Sequence, residues 1–154
     1  MGAVRVGLGD RMGPAGPQGP AGILQAAFTS GFGPNSGGVS ATLDFIGPTL
    51  SITIGSGQRI VANASKALGS TAAGGAGGLN IYICTKTATG PIVAIGGGMF
   101  GLSVPQNIRQ VFSMSAIAGP LAAETYEVGL CGLAGAPANW NSNEFGYVSA
   151  LVIP

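Results

Sequence analysis

The side chains able to do chemistry in this chain are few and widely spaced. There is no histidine among its 154 residues, so the commonest general base at neutral pH is missing, and no Ser-His, Cys-His or imidazole-metal arrangement can form. The carboxylates are Asp10, Asp44, Glu124, Glu127 and Glu144. A glycosidase needs two of them facing across a cleft, whereas Glu124 and Glu127, three apart at a strand start, point to opposite faces and read as solvated strand ends. Asp44 or Glu144, joined by asparagine and backbone oxygens, is where a calcium ion would be sought. Gly96, Gly98 and Gly101 match G-x-G-x-x-G, but a phosphate cradle needs a helix to open there, and MFGLSVP reads as strand. The sequence thus nominates no catalytic residue, no metal ligand set and no cofactor, and the chain is not read as an enzyme.

Two cysteines, Cys84 and Cys131, are too few for a disulfide framework or a metal cluster. In NIYIC and YEVGLC both thiols fall off the main apolar face. Neighbouring strands would let them bridge, closing a long loop at a gain of roughly 3–4 kcal/mol; otherwise they are two small buried residues. Trp140, Asn141 and Asn143 lie in PANWNSNEFGY, where an aromatic ring and amides could stack on and hydrogen-bond a sugar. The competing reading is a tryptophan that anchors its loop.

The basic residues Arg5, Arg11, Arg59, Lys66, Lys86 and Arg109 are scattered singly, which excludes a nucleic-acid surface built on clustered Lys and Arg. No apolar run approaches the length of a bilayer span, so no membrane insertion is expected, and MGAVRVGLGDRMG lacks the apolar run of a secretory signal. Yet 46% of residues are apolar against eleven charged ones. A monomer of this mass exposes on the order of 7,000 Å², or about one charge per 600 Å² here, far below a typical soluble surface. The exposed face is coated in small residues, or part of it is buried between subunits.

Residues 13–22, GPAGPQGPAG, supply a reason for subunits. Gly13, Gly16, Gly19 and Gly22 are in phase; only glycine fits the axis of a collagen triple helix, and proline presets its polyproline II geometry, so the pattern predicts a homotrimer. The bland alternative is a Pro/Gly linker. Gln25 and Phe28 break the phase, leaving about 12 residues and roughly 37 Å of rod, too short to hold three chains unaided.

The elements behind the rod are strands. Period two begins at Val39: Val39, Ala41, Leu43 and Phe45 share one face, and Leu50, Ile52 and Ile54 repeat the pattern. Further strands are expected over 59–66, 79–87, 91–95, 99–104, 109–117, 125–131 and 145–153. Gly-rich connectors separate them, the longest running from Gly69 to Gly78, and none suits a stable helix. The expected organisation is a tail over 1–12, a collagen-like stalk over 13–24, a neck over 25–38 and a head over 39–154. The fold class is all-β, an antiparallel jelly-roll or β-sandwich head forming a homotrimer. Several strands are apolar on both faces, as a subunit interface requires. Val148, Ala150, Val152, Ile92, Val93, Phe112 and Met114 are the expected interface or core residues.

A collagen-like stalk followed directly by a charge-poor β domain that ends in an apolar strand resembles bacterial and phage collagen-like proteins with trimeric C-terminal heads. Such heads include C1q/TNF-like jelly rolls and those of exosporium glycoproteins. Within the head, Thr125, Tyr126, Val128 and Leu130 resemble a strand entry common in these sandwiches, although Glu124-Thr125 stands where glycine often precedes the tyrosine. The resemblance implies trimerisation and display outside the cell or on a spore, cell or virion surface, and carries over no binding residue. Two functions follow as expectations. In one, the head registers three chains and nucleates the triple helix. In the other, the head is a receptor- or glycan-binding tip of a fibre or adhesin, with loops 69–78 and 134–144 as its contact surface.

Overall fold

A computed structural model of the chain describes residues 22–34 and 38–154. The tail and most of the stalk, including Gly13, Gly16 and Gly19, lie outside the described residues. The rest is all-β, with one 3-10 turn at Pro137–Asn139 interrupting the loop before the last strand. Eight strands follow in order: β1 (Gln25–Gly31), β2 (Asp44–Ile54), β3 (Arg59–Ser70), β4 (Ala76–Thr87), β5 (Val93–Val104), β6 (Ile108–Ala118), β7 (Glu124–Ala134) and β8 (Gly146–Ile153).

They form two four-stranded antiparallel sheets, ordered β1-β8-β3-β6 and β2-β7-β4-β5. Every connection except β4–β5 passes from one sheet to the other, the strand order of a jelly roll. The alternation seen in the sequence is what drives this packing. Leu50, Ile52 and Ile54 on β2, Ile81 and Ile83 on β4, and Val128 and Leu130 on β7 point inward. They meet Ile60, Ala62 and Leu68 of β3 and Val148, Ala150 and Val152 of β8 in one apolar core. Burying side chains of this kind contributes about 1.5–3 kcal/mol each before chain entropy is set against it.

Three expected boundaries are redrawn. Residues 25–31, placed in the neck, form β1 and pair along their length with β8 from Gln25↔Val152 to Gly31↔Gly146. The expected strand at 39–45 starts only at Asp44 and continues through the Pro48 region as β2, with a register shift between Phe45 and Thr49. Segments 91–95 and 99–104 are a single strand, β5. Its glycines accommodate bulges, with Gly96 and Gly101 in the left-handed region at φ 69° and 66° and repeated register shifts against β4.

The antiparallel order fixes two ends of the sandwich. Chain entry at β1 lies beside the end of β8, where the Leu24 amide donates to the Val152 carbonyl at 2.8 Å. Turns 55–58, 88–92 and 119–123 share this end. Residues 32–34 and 38–43 gather with loops 71–75, 105–107 and 135–145 at the opposite end.

Candidate functional site

The most distinctive surface is the outer face of the sheet β1-β8-β3-β6. Strand alternation puts Val148, Ala150 and Val152 into the core and turns Tyr147, Ser149 and Leu151 outward. The register then lines outward residues up in rows across all four strands. Nearest chain entry is Ala26–Leu151–Val61–Ile117, wholly apolar. The next row is Phe28–Ser149–Asn63–Ser115, and the third is Ser30–Tyr147–Ser65–Ser113. Beyond these, Ala67 pairs with Val111, and Phe145 stands nearby. The three full rows carry no charged residue.

Phe28, Val111, Ile117 and Tyr147 are large, apolar and exposed on this face. The rings of Phe28 and Tyr147 stack with centroids 6.4 Å apart. They flank a shallow groove floored by Ser65, Ser113, Ser115 and Ser149, within which Ser115 Oγ donates to Asn63 Oδ1 at 2.6 Å. Arg59 marks the entry end of the sheet, and the Arg109–Glu144 pair, 2.9 Å apart, marks the other. Charge is thus kept to the margins, and the middle combines apolar groups with uncharged hydroxyls.

The residues expected at an interface or in the core separate into distinct environments. Val148, Ala150, Val152 and Phe112 are core residues of the chain's own sandwich, and Met114 packs against that core from part-buried ground. Ile92 joins a second small cluster on the far side of the other sheet, while Val93 is 51% exposed at the start of β5. No neighbouring copy can contact the four buried ones. A period of two identifies residues that share a face, and both faces of β8 are apolar, so the inner face was as eligible as the outer.

Cys84 and Cys131 are bonded to each other. Cys84 is opposite Gly129 and Cys131 opposite Tyr82, so the bridge runs diagonally between β4 and β7. Phe45 buries it with part-buried Leu43, Tyr82, Ile92 and Ala94, forming an apolar cluster separate from the main core.

The expected ligand loop has a different use. Trp140 is 2% exposed; its ring meets Phe112 edge-on at 6.2 Å, and its Nε1 donates to the Gly77 carbonyl at 3.4 Å. A sugar cannot stack on it, and of the two readings the tryptophan is the loop anchor. Asn141 Oδ1 accepts from the Thr71 amide at 2.8 Å and from its hydroxyl at 3.0 Å. Asn143 Oδ1 accepts from the Gly69 amide, and its Nδ2 donates to the Trp140 carbonyl at 2.9 Å. Gly69 is required here, because a Cβ would stand 2.7 Å from the Ile108 carbonyl oxygen and 2.8 Å from that of Ser142. Loops 71–75 and 135–145 are therefore brought together, tied by amides to each other and, through Gln106 Nε2, to Thr71.

Gly96, Gly98 and Gly101 lie inside β5, with no helix following them. Asp44 accepts from the Phe45 amide at 2.8 Å, and Glu144 is paired with Arg109. Among the described residues no group of three or more potential metal ligands forms.

One notable group was not singled out from the sequence. Lys66 sits on the core face of β3, 1% exposed, and donates from Nζ to the Phe32 carbonyl at 2.6 Å. Burial pushes its amine down from 10.5 to about 8, with Glu144 pulling the other way. A lysine inside the alternating run of β3 was the available signal.

Comparison with protein-family models and with curated proteins returned no match.

Proposed function

We propose that this head is the trimerisation domain of a collagen-like surface or fibre protein, registering three chains and nucleating their triple helix. The observation that carries the reading is the outer face of β1-β8-β3-β6, whose three full rows carry no charged residue and which includes β1, the strand into which the GPAGPQGPAG segment leads. A water-facing antiparallel sheet is ordinarily polar on its outer side; this one exposes Phe28, Val111, Ile117 and Tyr147. Its occupants are two further copies of the chain, because a triple helix needs three.

The mechanism is mass action. Burial of the face holds three chain ends together, raises their effective concentration, and removes much of the entropic cost of starting a triple helix. The jelly-roll strand order agrees with C1q/TNF-like heads at the level of architecture, and surface display outside the cell accompanies the reading. Deleting residues 1–24 and measuring native mass by light scattering tests it: the head is expected to remain trimeric, and a monomeric head overturns the proposal.

The tip-binding alternative is favoured by one observation, the clustering of loops 71–75, 105–107 and 135–145 at the end away from chain entry. With Trp140 buried, its contact groups are the exposed amides Gln106, Asn139 and Asn141. Glycan-array binding that disappears in Gln106→Ala/Asn139→Ala, with native mass unchanged, is the expected signature.

A further inference from the structure

Gly22 is the last in-phase glycine, and Ile23 and Leu24 follow it at once. Both are large apolar residues left in water by their own chain, 59% and 44% exposed. They are not on a free tail, since the Leu24 amide is held by the Val152 carbonyl and Gln25 already pairs with β8. The apolar row closest to them on the outer face is Ala26–Leu151–Val61–Ile117. The row next to the last triplet is thus apolar throughout, whereas the two middle rows mix Phe28 and Tyr147 with hydroxyls and an amide.

A triple helix demands more than proximity. Its three chains must meet with glycines at the axis in a defined stagger, so the last fixed point before the first triplet sets the register. Resting on the trimeric reading, we propose that Ile23 and Leu24 pack with the same residues of two neighbouring copies, beside the row Ala26–Leu151–Val61–Ile117, as an apolar collar. The collar sets the register of the triple helix, and the remainder of the face holds the heads together. The occupant is a second and third copy because the residues immediately before Ile23 in the sequence are the Gly-X-Y segment itself.

The test uses the full chain, Ile23→Ser/Leu24→Ser, with Ile23→Ser alone as a second variant. Both positions are exposed, so the sandwich is expected to fold. Native mass reports head assembly, and the positive circular-dichroism band of a triple helix, followed on heating, reports the rod. Both variants are expected to keep a trimeric mass and lose the triple-helix band at temperatures where the wild type retains it. A trimer with an unchanged melting curve overturns the collar, and a monomeric double variant overturns its separation from head assembly. A monomeric wild type overturns instead the trimeric reading on which the collar rests.

Discussion

Lys66 Nζ donates at 2.6 Å to the carbonyl oxygen of Phe32, from inside the sandwich to the chain just beyond β1. The stem runs under Gly47 and Gly146, where an added Cβ would lie 3.8 Å from Lys66 Cδ and 3.3 Å from Lys66 Cβ. Above it, the Phe32 and Phe145 rings meet with centroids 4.5 Å apart. One buried cation thus fastens the chain just beyond the far end of β1.

This arrangement sets a pH dependence. The folded amine titrates near 8 and the unfolded one at 10.5, so between these values the unfolded chain binds more protons and stability rises with pH. Below about 8 the penalty is fully present; above 10.5 it is gone. Its ceiling is about 3 kcal/mol from the size of the shift. Lys66→Met removes the charge while keeping the stem, so it is expected to be at least as stable as wild type at neutral pH. The wild type should close the gap between pH 8 and 10. Denaturant midpoints for both proteins across this range check it, and parallel profiles contradict it.

The Cys84–Cys131 bridge spans 47 residues of sequence and lies beneath Phe45. Closing a loop of that length removes unfolded-state entropy worth about 4 kcal/mol. Cys84→Ala/Cys131→Ala is expected to lower the guanidinium midpoint accordingly. Mild reductant should leave the native bridge intact until the head unfolds, as thiol labelling over a denaturant series would reveal.

Trp140 serves the core. Trp140→Ala is expected to cost about 3–5 kcal/mol, the usual cost of truncating a buried tryptophan. Its fluorescence should be blue-shifted, resistant to acrylamide in the native state and unmoved by saccharides. A saccharide-dependent shift would return the ring to a ligand surface.

Much of the sandwich was legible because its strands alternate: LSITI and YEVGL expose their inward residues by period alone, and Leu50, Ile52, Ile54, Val128 and Leu130 are all buried. Other features depend on partners distant in sequence. β1 has no buried residue of its own and becomes a strand only through β8, more than a hundred positions later. The three consecutive glycines from Gly96 read as a break, since bulged pairing to β4 cannot be seen in β5 alone. Val148, Ala150 and Val152 were eligible as contact or core because choosing a face needs the opposing sheet. Lys66 broke no pattern except polarity, and its burial follows from room left by Gly47 and Gly146.

The proposed trimer makes its sharpest demand on the outer face of β1-β8-β3-β6. Ser149 is central on it, with Phe28 and Asn63 as its cross-strand partners. In a lone head, Ser149→Lys can extend its amine into water and leave the sandwich intact. In a trimer it places three like charges within a desolvated contact, a cost of several kcal/mol. Association should therefore weaken about a hundredfold or more, each 1.4 kcal/mol being a factor of ten. Thr125→Lys is the matched control on the other sheet, where Thr125 faces outward and shares a 2.8 Å hydroxyl contact with Thr53. Sedimentation at a series of concentrations is expected to dissociate Ser149→Lys and leave Thr125→Lys trimeric. The reverse pattern would move the interface to β2-β7-β4-β5, and the assignment of the outer β1-β8-β3-β6 face would fall with it.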